Sequence, residues 1–297
     1  MMPRRRSLTP DRSGDEDTNI VRLSSGVIEY RLVEGSKGLI VVFHGGHMWA
    51  GPPLWEDELL RAGCTVLTLS RPGYGRTPLT AHPSPAHFAE QTVELCSYLG
   101  FGCAHAVVGV SAGGPTAVAM AAQQPARVHS LVLESARSSL PYPDGVTRLV
   151  AMVVFFPHVE AATWTLTRAL MTQLPGAGLT AMMGSLSTLP GAAAVGDLTL
   201  KERHELIRLF SRMRSGRGFA NDLHQPVDPA LERAVTQPTL IVASDLDGQV
   251  GPRHVHQLHD SITHATVFDS PSLSHLVGFG GGGPATTQRT LDFLESI

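Results

Sequence analysis

The residues most suited to chemistry lie in Val107-Val108-Gly109-Val110-Ser111-Ala112-Gly113-Gly114, an apolar run that closes in Gly-x-Ser-x-Gly and continues into a helix-compatible stretch. A strand, a tight turn and a helix in that order present a serine hydroxyl to a substrate. Gly109 and Gly113 fit such a turn because it leaves no room for a Cβ on either flank of the serine. The first N–H groups of the helix have no intrahelical acceptor, so the Ala112 N–H is placed to receive a developing oxyanion. The pattern alone is common in turns, and this chain has 30 glycines, so its meaning depends on partners elsewhere.

An unassisted hydroxyl is a poor nucleophile at neutral pH and needs a base. Of the 14 histidines, His275 follows the last predicted strand, at the sheet edge where the serine turn also ends. His254, His256 and His259 fall in a predicted helix, where 254 and 256 face apart, so they form no metal site. A base needs an orienting carboxylate, and Asp245 and Asp247, in the loop 244–250, both qualify. His44-Gly45-Gly46-His47, where glycines let the backbone approach a ligand, is either half of an oxyanion hole, with the Gly46 N–H as second donor, or a plain glycine turn with a surface histidine. His44 is a candidate substrate contact.

The elements that must position these groups alternate along the chain. Residues 20–23 and 27–33 read as strands, the second with one solvated face, and 39–43, 65–69, 106–110, 130–134, 238–243 and 264–268 as further strands. The continuous apolar runs are those of strands covered on both faces. Helices are expected over 54–62, 85–99, after Ser111, after Pro252 and over 285–296. This alternation predicts an α/β fold with a doubly wound, mostly parallel sheet.

The alternation stops between about 138 and 234. Helical patterns there cover 146–156, 160–173, 179–186 and 198–213, the last opening with the capping box Thr199-x-x-Glu202. The segment 138–234 is therefore expected to be a helical cap inserted into a core domain formed by 19–137 and 235–297. Met152, Phe155 and Met182 either pack this insertion onto the core or line an apolar pocket above Ser111. Residues 1–18, basic and then acidic without an apolar run, read as a mobile tail.

A net charge of −3 makes no electrostatic case for nucleic acid or an anionic membrane. The longest apolar run, 149–156, is far short of the roughly 20 residues that span a bilayer. Cys64, Cys96 and Cys103 form no CxxC pair and fit a reducing, cytoplasmic setting. Nothing in the sequence speaks to oligomeric state.

With these residues in view, the chain resembles the α/β-hydrolase superfamily over roughly residues 20–297. The order Ser111, Asp, His275 is that family's order. Its Gly-x-x-Asp-x-x-Val-Pro pattern aligns with Ser244-Asp245-Leu246-Asp247-Gly248-Gln249-Val250-Gly251, which implies Asp247 as the acid, although Ser244 and Gly251 depart from it. Arg71-Pro72-Gly73-Tyr74-Gly75-Arg76 is similar to the family's Asp-x-Pro-Gly-x-Gly loop, with Ser70 or Arg71 where aspartate often stands. A serine at 111 argues against the epoxide hydrolases and haloalkane dehalogenases of this fold, which use aspartate. The resemblance implies a cofactor-free and metal-free serine hydrolase acting on a small, fairly apolar ester. The alternatives are a C–C bond hydrolase of diketo acids and a non-catalytic receptor on the same fold.

Overall fold

In the computed structural model, residues 18–79, 83–142 and 159–297 are described. The chain opens with strands β1 (Asn19–Leu23), β2 (Gly26–Val33) and β3 (Leu39–Phe43), helix α1 (Glu56–Arg61) and strand β4 (Thr65–Leu69). Helix α2 (Pro85–Tyr98), strand β5 (Ala106–Val110), helix α3 (Gly114–Gln123) and strand β6 (Leu131–Glu134) follow. Six described helices then precede the next strand: α4 (Glu160–Gln173), α5 (Pro175–Leu186), α6 (Gly191–Gly196), α7 (Leu200–Arg212), α8 (Gly218–His224) and α9 (Pro229–Arg233). Strand β7 (Thr239–Ala243), helix α10 (Pro252–Ser261), strand β8 (Ala265–Asp269) and helix α11 (Gly283–Glu295) complete it.

The eight strands form one sheet in the order β1-β2-β4-β3-β5-β6-β7-β8. β1 and β2 pair antiparallel at one edge, and from β4 to β8 every pairing is parallel. The five central strands are buried at every residue, as their apolar runs require. One face packs on Phe88 and Leu95 of α2, Ala117 to Ala121 of α3 and Leu258 of α10. The other packs on Leu59 of α1 and Phe293 and Leu294 of α11.

Two expectations change. The polar residues of β2 are not solvated: Glu29 and Arg31 are buried, the first paired with Arg76 and the second with Glu56. Alternation marked the two faces, but the loop after β4 and the start of α1 supply partners that neutralise the charges of the outer one. In the helical segment α5 starts at Pro175 rather than at 179, because proline at a helix's first position loses no hydrogen bond. The short α6, α8 and α9 had no legible periodicity. The capping box of α7 forms as expected, Thr199 and Glu202 bonding each other's backbone.

Trp164, Met171, Leu206 and Phe210 build a separate apolar cluster for α4 to α7, which reaches the sheet unit through Met48, Leu276 and Phe279. Its seat is the loop edge at the carboxyl ends of the strands: the Leu186 carbonyl accepts from the N–H of Gly248 at 3.1 Å and of His275 at 2.7 Å. Residues 1–17 of the tail, the helix expected over 146–156, and Met152 and Phe155 within it lie outside the described residues. Among the described residues no helix is long and apolar enough to cross a membrane.

Candidate active site

β5 delivers its last residue, Val110, directly beneath the serine, and Ser111 takes φ = 52°, in the left-handed region that an L-residue rarely enters. The strain is held by close packing. A Cβ on Gly113 would fall 2.1 Å from the Phe43 carbonyl oxygen, and one on Gly109 2.6 Å from Ala117 Cβ. Both glycines are thus required by contact with β3 and α3. The Ser111 carbonyl accepts from Arg137 N at 3.0 Å, tying the turn to the segment after β6.

Asp247 follows β7 and His275 follows β8, so strand order alone brings both loops to the edge where β5 ends. His275 Nδ1 lies 2.7 Å from Asp247 Oδ2. A carboxylate only accepts, so Nδ1 carries the hydrogen and Nε2 is left with its lone pair. The other carboxylate oxygen, Oδ1, accepts from the N–H groups of Gln249 at 2.7 Å and Val250 at 2.9 Å. The His275 carbonyl is held by the Ser135 hydroxyl at 2.9 Å, and Ser135 itself sits at φ = 44°. Asp245 points elsewhere, into a surface cleft with His256, His259 and Asp269. Of the two carboxylates left open by the loop sequence, only Asp247 meets the histidine. Ser111 Oγ makes no hydrogen bond among the described residues.

The glycine loop after β3 runs past the serine: a Cβ on Gly45 would fall 2.9 Å from Ser111 Cβ. Gly46 follows, with no backbone acceptor for its N–H among the described residues and the Phe219 ring behind it, where a Cβ would meet that ring at 2.9 Å. His47, at φ = 66°, stacks on Phe219 with ring centroids 4.1 Å apart and pairs through Nδ1 with the Ser215 hydroxyl at 2.7 Å. Burial, and then the charge of Arg71, lower its pKa to about 3.

His44 is not brought to the site. Its ring is 2% exposed and turns beneath the sheet edge, with Nε2 2.9 Å from Glu56 Oε1. On β3, residues 40, 42 and 44 share one face, and that face belongs to α1. Met182 sits on α5, partly buried against the helical cluster. Ala112 occupies the turn between Ser111 and α3, as the sequence requires.

Below the site lies a buried polar group that the sequence did not disclose. Burial alone would raise the Glu56 carboxyl, yet His44 and Arg31 hold it well below the usual carboxylate range. Glu134, the last residue of β6, goes the other way: burial pushes it up to about 8, the Trp55 side chain opposes this, and the Glu56 charge adds to it. The 71–76 loop is also tied to β2 through a buried carboxylate. Ser70 donates to Glu29 Oε2 at 2.7 Å, and the Arg76 N–H reaches the same oxygen at 2.8 Å, so β2 supplies the carboxylate.

An uncharacterized hydrolase of Bacillus subtilis (strain 168), YcgS, is 33% identical over 279 residues, spanning 93% of this chain and 98% of that protein. The chain belongs to the α/β-hydrolase family. A model of the alpha/beta hydrolase fold matches residues 38–160 of this hydrolase, the stretch from before β3 into α4 that carries the serine turn. Solved structures share the fold. An α/β hydrolase fold protein from Nakamurella multipartita superposes with a TM-score of 0.79 at 23% identity, covering 94% of this hydrolase and 99% of that chain. A thermophilic esterase from Thermogutta terrifontis gives 0.68 at 17% identity, with 94% and 98% covered.

Proposed function

We propose that this hydrolase cleaves small, fairly apolar carboxylic esters through Ser111, His275 and Asp247. The observation that carries the reading is the 2.7 Å His275–Asp247 pair facing the edge at which Ser111 is held in a strained turn. Strain of this kind persists only where the surroundings over-determine it, and it concentrates at reacting positions.

In the acylation step the Ser111 hydroxyl proton passes to His275 Nε2 while Oγ bonds to the ester carbonyl carbon. The carbonyl electron pair moves onto oxygen, which receives the N–H groups of Gly46 and Ala112. Asp247 holds the imidazole ring and stabilises the imidazolium. The C–O bond to the alcohol then breaks, and His275 returns the proton to the departing oxygen. Water repeats both steps on the acyl-enzyme, releasing the acid and restoring Ser111. The helical segment 138–234 acts as a cap that shapes the acyl pocket, and Met182, partly buried on α5, is the described apolar side chain offered for its lining. Three unpaired thiols, two of them buried, fit a cytoplasmic setting.

A fluorophosphonate probe should label Ser111 stoichiometrically, and Ser111→Ala should abolish both labelling and turnover across a panel of esters, thioesters, lactones and diketo acids. An unlabelled wild-type serine, or full turnover in Ser111→Ala, overturns the mechanism. Preference for a vinylogous diketo acid over every ester would replace the ester substrate and keep the triad.

A further inference from the structure

The Arg71 guanidinium is 5% exposed and spends its donors on two different parts of the molecule. Nε donates to the His44 carbonyl at 2.8 Å and Nη2 to the Gly45 carbonyl at 3.1 Å, so the cation grips the loop that precedes the Gly46 N–H. Nη1 and Nη2 also reach Oδ1 and Oδ2 of Asp222 on α8, at 2.7 and 2.8 Å. Such a bidentate, charge-assisted pair fixes orientation as well as distance. Tyr74, which packs under Arg71 with its ring centroid 4.8 Å from the guanidinium carbon, donates its hydroxyl to Asp222 Oδ2 at 2.6 Å.

The same residue of α8 serves the nucleophile turn through its backbone. Arg137 Nη1 donates to the Asp222 carbonyl at 2.6 Å, Nη2 to the Gln225 carbonyl at 3.1 Å, and the Arg137 N–H holds the Ser111 carbonyl. The far end of the glycine loop is gripped from this region too. Arg214 N donates to the His47 carbonyl at 3.0 Å, and Ser215 meets the His47 ring. Packing permits no slack, since a Cβ on Gly218 would fall 2.2 Å from the Tyr74 ring.

We propose that Asp222 is a positioning residue: carried by the helical segment, it holds Arg71, and Arg71 in turn sets the direction of the Gly46 N–H toward the oxygen that becomes an anion on Ser111 attack. The helical segment is then part of the catalytic geometry and not only the wall of a pocket. This rests on the reading of Gly46 as an oxyanion donor. A donor turned away from the oxyanion loses stabilisation specific to the transition state, so kcat falls while ground-state binding is little changed.

The test uses the full chain with p-nitrophenyl acetate as substrate and phenylboronic acid as a tetrahedral-adduct inhibitor, at a temperature where each variant is folded. Asp222→Asn and Arg71→Lys are expected to lower kcat by about 10- to 100-fold, the range for a displaced oxyanion donor, with KM changed less than about threefold. Boronate affinity should weaken in parallel, and Asp222→Glu should recover part of the loss. If the variants melt earlier but keep kcat and boronate affinity within about twofold, while Ser111→Ala is inactive, the clamp is structural only and the proposal fails. Should neither Asp222→Asn nor Arg71→Lys fold, Tyr74→Phe decides, since it deletes one bond to Asp222 Oδ2. A kcat within experimental error of wild type there also overturns the proposal. An active Ser111→Ala would instead remove the serine mechanism on which it rests.

Discussion

Replacing Glu134 with glutamine isolates the free energy stored in one buried acid. The side chain ends β6 at 3% exposure beside Glu56, and its carboxyl is pushed from 4.5 up to about 8 by burial foremost. A raised acid keeps its proton in the folded state after the unfolded chain has lost it. The folded state therefore carries no penalty below pH 4.5 and loses stability as pH rises from there to about 8, at about 1.4 kcal/mol per unit. Above pH 8 the loss levels off at about 5 kcal/mol, an upper value. Glutamine has no proton to lose. Whatever its offset at pH 5, the stability of Glu134→Gln relative to wild type should rise by several kcal/mol between pH 5 and pH 9. With unfolding entropy of about 2.1 cal/mol/K per residue, that corresponds to a relative gain of roughly 4–6 °C in Tm for a chain of this length. Calorimetric melting of both proteins at the two pH values measures it, and taking the difference between them cancels the titration of groups distant from residue 134. A difference that stays constant within about 0.5 kcal/mol would show that Glu134 titrates as an ordinary carboxylate, and the account of this buried acid would fail.

Asp247→Asn should lower kcat by about 10³- to 10⁴-fold, since an amide no longer enforces the tautomer with hydrogen on Nδ1. Asp245→Asn, in the cleft beside His256 and His259, should leave steady-state ester hydrolysis within twofold of wild type. Equal losses in the two variants would contradict the assignment of the acid. Gly113→Ala forces a methyl to 2.1 Å from the Phe43 carbonyl, a backbone atom that cannot swing away. It should cost about 3 kcal/mol or more in denaturant unfolding and lower fluorophosphonate labelling of Ser111. Wild-type stability in that variant would refute the close packing of the turn.

Much of the site was legible because its demands are local or ordinal. Gly109 and Gly113 flank Ser111 because a tight turn excludes side chains. Chain order, with an acid after one strand and a histidine after the next, survives folding because parallel crossovers deliver every strand's carboxyl end to the same edge. His44 follows the strand parity of Ile40 and Val42 to the α1 face, although the glycines beside it are those of a loop that approaches the serine. Loop composition alone does not separate Asp245 from Asp247, two carboxylates two residues apart; the resemblance of the 244–251 pattern implies Asp247, and the turn aims that one at His275.

The sequence by itself determined the alternating elements, the serine turn, and the order of acid and base, because these follow from hydrophobic period, glycine sterics and connectivity. Only the tertiary structure decided that Ser70 and Arg76 converge on Glu29, that His44 turns to Glu56, and that Arg71 and Asp222, 151 residues apart, share one bidentate pair. Ion pairs and desolvated acids leave no periodic trace along the chain. They exist only once folding has removed water from between residues that the sequence keeps far apart.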